Sequence, residues 1–136
     1  MYKVYRAIPR APDEMLGYVK EDGRVYRSKP GFDEHLGRVD LSSGRVYEER
    51  FGPDQEIGHV DLKTGRVYLR RFGPDDYVGT VDEQGRLHRH VPMAPDEYIG
   101  VVDPFLSLAH CAGAMLLLVL PAFEAGRDDD GGGHAE

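Results

Sequence analysis

The sequence is poor in cysteine, in basic residues and, over its first 104 positions, in long apolar runs. Its single cysteine excludes an internal disulfide framework and offers no spacing for a zinc site. With 17 Lys and Arg against 24 Asp and Glu the net charge is −7, which argues against a general nucleic-acid binder because such proteins need a basic surface. Residues 1–6 lack the apolar stretch of a signal peptide, so we expect a cytoplasmic location.

The apolar residues are concentrated near the C-terminus. Residues 1–104 are polar and punctuated by glycine, whereas residues 105–123 are almost entirely apolar. Residues 124–136 are acidic and rich in glycine, and we expect a disordered tail because they cannot bury apolar area. A chain of 136 residues supports one domain, which we place at residues 1–123.

An internal repeat dominates residues 1–104. A glycine preceded by an aliphatic residue recurs every 20 or 21 residues, with valine two positions after it and aspartate four positions before it. Four of the five copies continue into a Gly-Arg pair, usually followed by Val-Tyr. Periods of this length are typical of repeat architectures. The aligned glycines are Gly17, Gly37, Gly58, Gly79 and Gly100.

Each repeat has the pattern of a β-hairpin. The first strand alternates, as in residues 36–40, and the second is rich in β-forming residues, as in residues 45–47. Residues 21–23 and 83–85 suit two-residue primed turns, in which glycine supplies a positive φ. The other two turns, 41–44 and 62–65, are one residue longer and suit a three-residue loop with a glycine bulge.

The strand count predicts a closed ring. There are five copies of the first strand, but only four second strands follow one; the fifth stands at the N-terminus, as residues 2–5. Pairing it with the strand around Gly100 closes the ring and removes exposed sheet edges. The predicted fold class is therefore mainly β with one C-terminal helix: five hairpin repeats of about 21 residues, closed into a barrel that encloses an apolar helix.

The central helix is predicted over residues 105–120. Glycine and valine on the inward face leave room for it, and its lack of a polar face requires burial in protein or in lipid. Pro104 suits its first turn and Pro121 its end. A helix of this length spans about 24 Å, short of the ~30 Å hydrocarbon core of a bilayer. This favours a core helix, with a membrane anchor formed by residues 105–123 as the alternative.

The hairpin repeats, together with the Ala- and Leu-rich segment 112–118, resemble the bacterial β-flower proteins. These are small proteins built from radial hairpins around a C-terminal helix. The resemblance covers residues 2–120 and implies the fold. It implies no established activity, and the Gly, Val and Arg of the repeat are not a catalytic signature.

Two sets of repeated aspartates are candidate site residues. One set follows the repeated valine and could form an acidic ring for Ca²⁺, although we prefer hydrogen bonds at the turns or pairing with Arg45, Arg66 and Arg86. The other set precedes the aligned glycines and is interpreted as capping the next backbone. Five equivalent copies do not resemble an active site, which needs different residues in different roles. The sets are Asp40, Asp61, Asp82 and Asp103, and Asp13, Asp33, Asp54, Asp75 and Asp96.

Histidine and cysteine offer two further candidates. His88 and His90 share a strand face that His59 could approach, but this spacing is weak for zinc. His110 and Cys111 are adjacent on the helix, so they point about 100° apart and do not form a nucleophile–base pair. Cys111 is expected to be a core residue, whereas a buried His110 needs a polar partner near the start of the helix.

The predicted function is a non-enzymatic structural or interaction module. Arginines alternate with tyrosines in segments such as 24–26, 45–47 and 66–68, a pattern also found on single-strand nucleic-acid platforms. The excess of carboxylates favours intramolecular ion pairs instead. We predict no catalytic, cofactor-binding or metal-ligating residue, no cofactor and no nucleic-acid partner. The alternative is a membrane-associated protein anchored through residues 105–123.

Overall fold

A computed structural model describes residues 1–125 as ten antiparallel strands around one helix. Each strand pairs with both of its neighbours along the chain, and β1 pairs with β10, which closes the barrel. The strands are β1 (Tyr2–Ile8), β2 (Ala11–Val19), β3 (Arg24–Lys29), β4 (Phe32–Val39), β5 (Arg45–Glu48), β6 (Gln55–Val60), β7 (Arg66–Leu69), β8 (Asp76–Val81), β9 (Arg86–Arg89) and β10 (Glu97–Asp103).

The predicted closure is confirmed. Val4 of β1 faces Val102 of β10, and Tyr5 faces Val101, so the N-terminal strand completes the fifth hairpin. Every strand therefore has two partners, and the barrel has no free sheet edge along these ladders.

The barrel has two different ends because its strands alternate in direction. The turn end carries residues 20–23, 40–44, 61–65 and 82–85, and the tip end carries residues 9–10, 30–31, 49–54, 70–75 and 90–96. We call the five strand pairs joined at the tip end (β1–β2, β3–β4, β5–β6, β7–β8 and β9–β10) the long hairpins.

The turns are one residue longer than predicted. Lys20 and Arg24 close the first turn and enclose three loop residues. Asp40 and Arg45 close the second turn and enclose four. Gly23 and Gly44 have positive φ values of 95° and 79°, as expected. Glu21 does not adopt the left-handed conformation that a primed type I turn needs at its first position, so the first turn is a wider glycine-bulge turn.

Each long hairpin contains a β-bulge just before its aligned glycine. Val46 pairs with Gly58 and Tyr47 with Glu56, which leaves Ile57 unpaired. Strict alternation places these aliphatic residues on the outer face. The bulge instead rotates them toward the core, where Ile99 is buried and the other four pack at the margin. The bulged residues are Leu16, Leu36, Ile57, Val78 and Ile99.

The apolar C-terminal segment is a helix inside the barrel. It runs from Leu108 to Ala125, with α1 at Leu108–Ala114 and a π-helical turn at Met115–Val119, and its apolar window is 67% buried. It is the one helix in residues 1–125 long and apolar enough to cross a membrane. The inward-facing valines of the strands are at most 3% exposed around it. The core is therefore formed by the strands and the helix together.

The helix is shifted relative to the predicted 105–120. It begins only after Ser107, whose side chain caps the first turn of the helix. It continues through Pro121 to Ala125. Pro121 has no N–H and its ring crowds the preceding turn; the π-helical turn just before it widens the helix there. Two residues of the predicted tail, Glu124 and Ala125, are thus helical, and the rest of that prediction lies outside the described residues.

Two arginines contact the C-terminal end of the helix. Arg6 Nη1 donates a hydrogen bond to the carbonyl oxygen of Ala122 at 3.2 Å, and the Arg89 guanidinium lies 4.8 Å from the centre of the Phe123 ring. Cations at this end of a helix are favourable because its carbonyl groups carry partial negative charge. These contacts hold the helix terminus at the tip end.

Candidate functional site

His110 is the buried polar group of the core, with 4% exposure. Its Nε2 lies 2.8 Å from the carbonyl oxygen of Glu21, in the turn between β2 and β3, and its Nδ1 lies 2.6 Å from Ser107 Oγ. Because a carbonyl oxygen can only accept, Nε2–H is the donor, and Nδ1 accepts from the serine hydroxyl. The sequence predicted a partner near the helix start, and the histidine in fact ties the helix to the barrel wall.

Replacing His110 with alanine is expected to destabilise the protein by about 3 kcal/mol. The change removes the donor to the Glu21 carbonyl and the acceptor for the Ser107 hydroxyl, and it opens a cavity. Urea denaturation of H110A beside H88A measures the difference, because His88 lies outside the barrel core and packs only against Tyr98 in the ring contacts. Equal losses in the two variants would contradict the role assigned to His110.

Cys111 lies in the core and is inert by environment. It is fully buried, and burial raises the pKa of its thiol to about 12. A thiol with this pKa is protonated at neutral pH and is a poor nucleophile. His110 uses both ring nitrogens on Ser107 and Glu21, so the structure does not bring the two residues together as a nucleophile and base.

Three of the four candidate aspartates at the turn end, Asp40, Asp61 and Asp82, accept hydrogen bonds within their own turns. Asp40 Oδ1 accepts from Ser42 N–H at 2.9 Å and from Ser42 Oγ at 2.8 Å, and Asp61 accepts from Lys63 N–H at 2.8 Å. The Ser42 hydroxyl lowers the pKa of Asp40, and the Lys63 N–H lowers that of Asp61. These carboxylates are therefore occupied in fixing the turns, each in its own hairpin.

Four of the five aspartates in the second set contact side chains rather than the next backbone: Asp33, Asp54, Asp75 and Asp96. In three cases the aspartate reaches across one intervening strand to the residue that follows the aligned glycine of the preceding repeat. Sequence reasoning missed this pairing because it joins residues 15 or 16 positions apart. The pairs are Tyr18–Asp33 at 2.8 Å, Arg38–Asp54 at 3.4 Å and His59–Asp75 at 3.5 Å.

Tyr18 is expected to ionise only at strongly alkaline pH. Its hydrogen bond to Asp33, followed by burial, raises the pKa of its phenol from 10.0 to about 12. The pKa of Tyr18 is higher in the folded state than in the unfolded state. Its hydrogen bond to Asp33 therefore stabilises the fold fully below pH 10, and this stabilisation is lost as the pH rises through about 12. Ultraviolet titration of the tyrosinates should lose this late step in Y18F and shift it toward lower pH in D33N. An unchanged titration in D33N would contradict the assignment.

The three histidines proposed as weak zinc candidates lie in separate contacts. His59 stacks on Tyr68 with ring centres 4.9 Å apart, and His90 packs against Tyr77 at 4.7 Å and pairs with Asp96 at 3.3 Å. Within residues 1–125, no group of three His, Cys, Asp or Glu side chains is placed to hold a metal ion.

The arginines and tyrosines of the repeats contact one another and nearby carboxylates. Arg38 lies 4.3 Å above the Tyr47 ring, and Arg86 pairs with Asp82 at 3.0 Å. Tyr18 and Tyr26 stack at 5.2 Å. The rings thus contact other side chains of the protein, and the Arg86–Asp82 pair is an intramolecular ion pair of the kind expected from the excess of carboxylates.

The tip end presents large apolar side chains to solvent. Phe51, Phe72 and Met93 are fully exposed, and Phe32 is 64% exposed. Each belongs to a different long hairpin, and the tips of the third and fourth share the motif Arg-Phe-Gly-Pro. We call these four residues the apolar tips. Sequence reasoning missed them, although the recurring motif was a signal.

A cleft of about 950 Å³ separates the third and fourth long hairpins. β6 and β7 pair at Gly58–Leu69, His59–Tyr68 and Val60–Val67 and then diverge toward the tip end. Ile57, Leu69 and Phe72 form its apolar part. The ion pair Arg70–Glu56, at 3.2 Å, lies beside them. The tip end therefore carries both the fully exposed apolar side chains and this cleft.

Searches against protein-family models, curated proteins and solved structures found no match to this chain.

Proposed function

We propose that this chain is a non-enzymatic interaction module of the β-flower type, whose barrel presents the apolar tips to a partner. The supporting observation is that Phe51, Phe72 and Met93 are fully exposed at one end of the barrel, on three different hairpins. Large apolar side chains exposed at the same end of a molecule favour a contact site there. The cytoplasmic location expected from the sequence is part of this proposal.

The chemistry of the barrel supports a non-enzymatic role. The buried Cys111 thiol is protonated, and the Ser107 hydroxyl and His110 ring are occupied in capping the helix. Three of the four turn-end aspartates likewise bond to their own turns. The serine, the histidine and these aspartates thus have structural partners, and burial keeps the Cys111 thiol protonated.

The alternative is a membrane protein anchored through residues 105–123. The length and hydropathy of the helix Leu108–Ala125 favour it. Against it, every residue from Ala109 to Leu120 is buried inside the barrel, so insertion into lipid would require the barrel to open. We therefore place the core helix first.

Chromatography on a phenyl matrix tests the contact surface directly. F51S/F72S should elute earlier than the parent protein with the same melting temperature, because both rings are solvent-exposed in the fold. The matched control is L41S/L62S at the turn end, where both leucines are about 40% exposed. If removing the turn-end leucines shortened retention as much as removing the phenylalanines, the tips would not be the principal contact surface.

A further inference from the structure

We propose that the apolar tips insert into the interface of a zwitterionic lipid bilayer, so that the barrel stands on the membrane with its tip end down. This inference rests on the proposed function, because it names the partner of the same surface. It differs from an anchor through residues 105–123, since the helix stays inside the barrel.

Two of the tips, Phe51 and Phe72, are fully solvent-exposed within residues 1–125. Phe51 and Phe72 have exposures of 110% and 109%. The glycine that follows each one has a positive φ and nothing within 4 Å of where a Cβ would lie. Within residues 1–125 both rings are thus held on glycine turns that leave them in solvent, where another molecule can bury them.

A fluid partner fits this geometry better than a rigid protein surface. The contact residues of a protein interface cluster centrally in well-packed pockets. Here the tips stand on separate hairpins around a ring of ten strands, so neighbouring tips are on the order of 10 Å apart. Lipid headgroups and acyl chains can surround each ring on all sides, as they do for aromatic residues at membrane interfaces.

The charges of the tip end favour neutral over anionic lipid. Each arginine beside a tip phenylalanine has a carboxylate partner: Arg50 pairs with Glu48, Arg70 with Glu56, and Arg71 with Asp76. The whole chain carries a net charge of −7, which an anionic surface would repel. A zwitterionic surface matches the paired charges, and arginine stems can lie along it with their heads in water.

The turn end is the wrong end for this contact. Both ends expose carboxylates, but the large apolar side chains differ: Leu41 and Leu62 here are about 40% exposed, whereas the tip phenylalanines Phe51 and Phe72 are fully exposed. Its leucines lean on the neighbouring hairpin, where Leu41 lies over Gly23. The two ends therefore differ enough to fix the orientation of the barrel on a bilayer.

A single introduced tryptophan gives the test, because the chain has none of its own. F51W should show a blue shift of its emission and quenching by brominated lipid when phosphatidylcholine vesicles are added. L41W, at the turn end, should show neither change. No blue shift in F51W, or an equal response in L41W, would overturn the proposal.

Vesicle co-sedimentation provides the second measurement. Each buried phenyl ring strengthens partitioning at least tenfold, so F51S/F72S should bind phosphatidylcholine vesicles about 100-fold more weakly than the parent protein. Binding that requires anionic lipid, or self-association of the parent protein that F51S/F72S abolishes without vesicles, would also overturn it. If F51S/F72S binds vesicles as well as the parent protein but is still retained less on the phenyl matrix, the lipid partner is rejected and the contact surface stands. If F51S/F72S and the parent protein are retained equally on the phenyl matrix, the contact surface itself is rejected.

Discussion

Truncation after Asp103 is expected to abolish cooperative unfolding of the barrel. The helix buries six large apolar side chains between Met115 and Leu120, and burial of each stabilises by about 1.5–3 kcal/mol. The loss of roughly 10 kcal/mol or more is as large as the whole stability of a typical domain. The inward valines would also face a water-filled lumen. Thermal denaturation followed by circular dichroism measures the result.

A second truncation, after Ala125, is the control. It removes only residues outside the described structure and should melt like the full chain. A soluble 1–103 fragment that melted cooperatively would show that the barrel does not need the helix. That outcome would favour the membrane anchor formed by residues 105–123.

Replacing Gly79 with alanine is expected to cost at least about 3 kcal/mol. A Cβ at this position would overlap the backbone carbonyl oxygen of His88 on the paired strand and lie 2.7 Å from the Met115 methyl group. The strands would have to separate or the helix to shift, and overpacking of a close-packed core commonly costs 1–3 kcal/mol even without a backbone clash. Urea denaturation of G79A measures the loss.

Gly73 is the matched control for this substitution. It has a φ of +94° and nothing within 4 Å of a Cβ, so alanine there suffers only backbone strain of about 1–2 kcal/mol. If G73A lost as much stability as G79A, the close approach of strand and helix at Gly79 would not be the reason for its glycine.

The closed barrel could be predicted because the repeat can be counted. A second strand missing after the fifth repeat and a matching strand at residues 2–5 leave one arrangement without free edges. The central helix followed from a similar argument, since a run with no polar face needs an enclosed space. Both inferences depend on properties of whole segments, which are visible in sequence.

The features that escaped prediction depend on local backbone shifts and on distant neighbours. The bulge at Ile57 places it at the edge of the core although the alternating pattern assigns it to the outside. The passage of the helix through Pro121 depends on a π-helical turn. The bond between Tyr18 and Asp33 crosses a strand, so only the assembled sheet brings the two together.

The exposure of the apolar tips could not be predicted, for a different reason. A phenylalanine in a sequence normally indicates core, and Phe51 and Phe72 sit in the same repeat as the buried valines. Their exposure follows from the direction in which each long hairpin turns, which only the closed barrel defines. The Arg-Phe-Gly-Pro motif therefore has meaning only once its end of the barrel is known.

The pairing of β1 with β10 also sets a condition on how the chain folds. Its first strand has its second partner about 100 residues later, at Val102, so closure pays the loop entropy of nearly the entire chain. During synthesis, β1 cannot pair with β10 until residues 97–103 have been made. Throughout that interval β1 offers an unpaired edge, and the last repeat of another chain has the same complementary pattern. Ring closure is thus the step at which two chains can exchange strands and form a domain-swapped dimer.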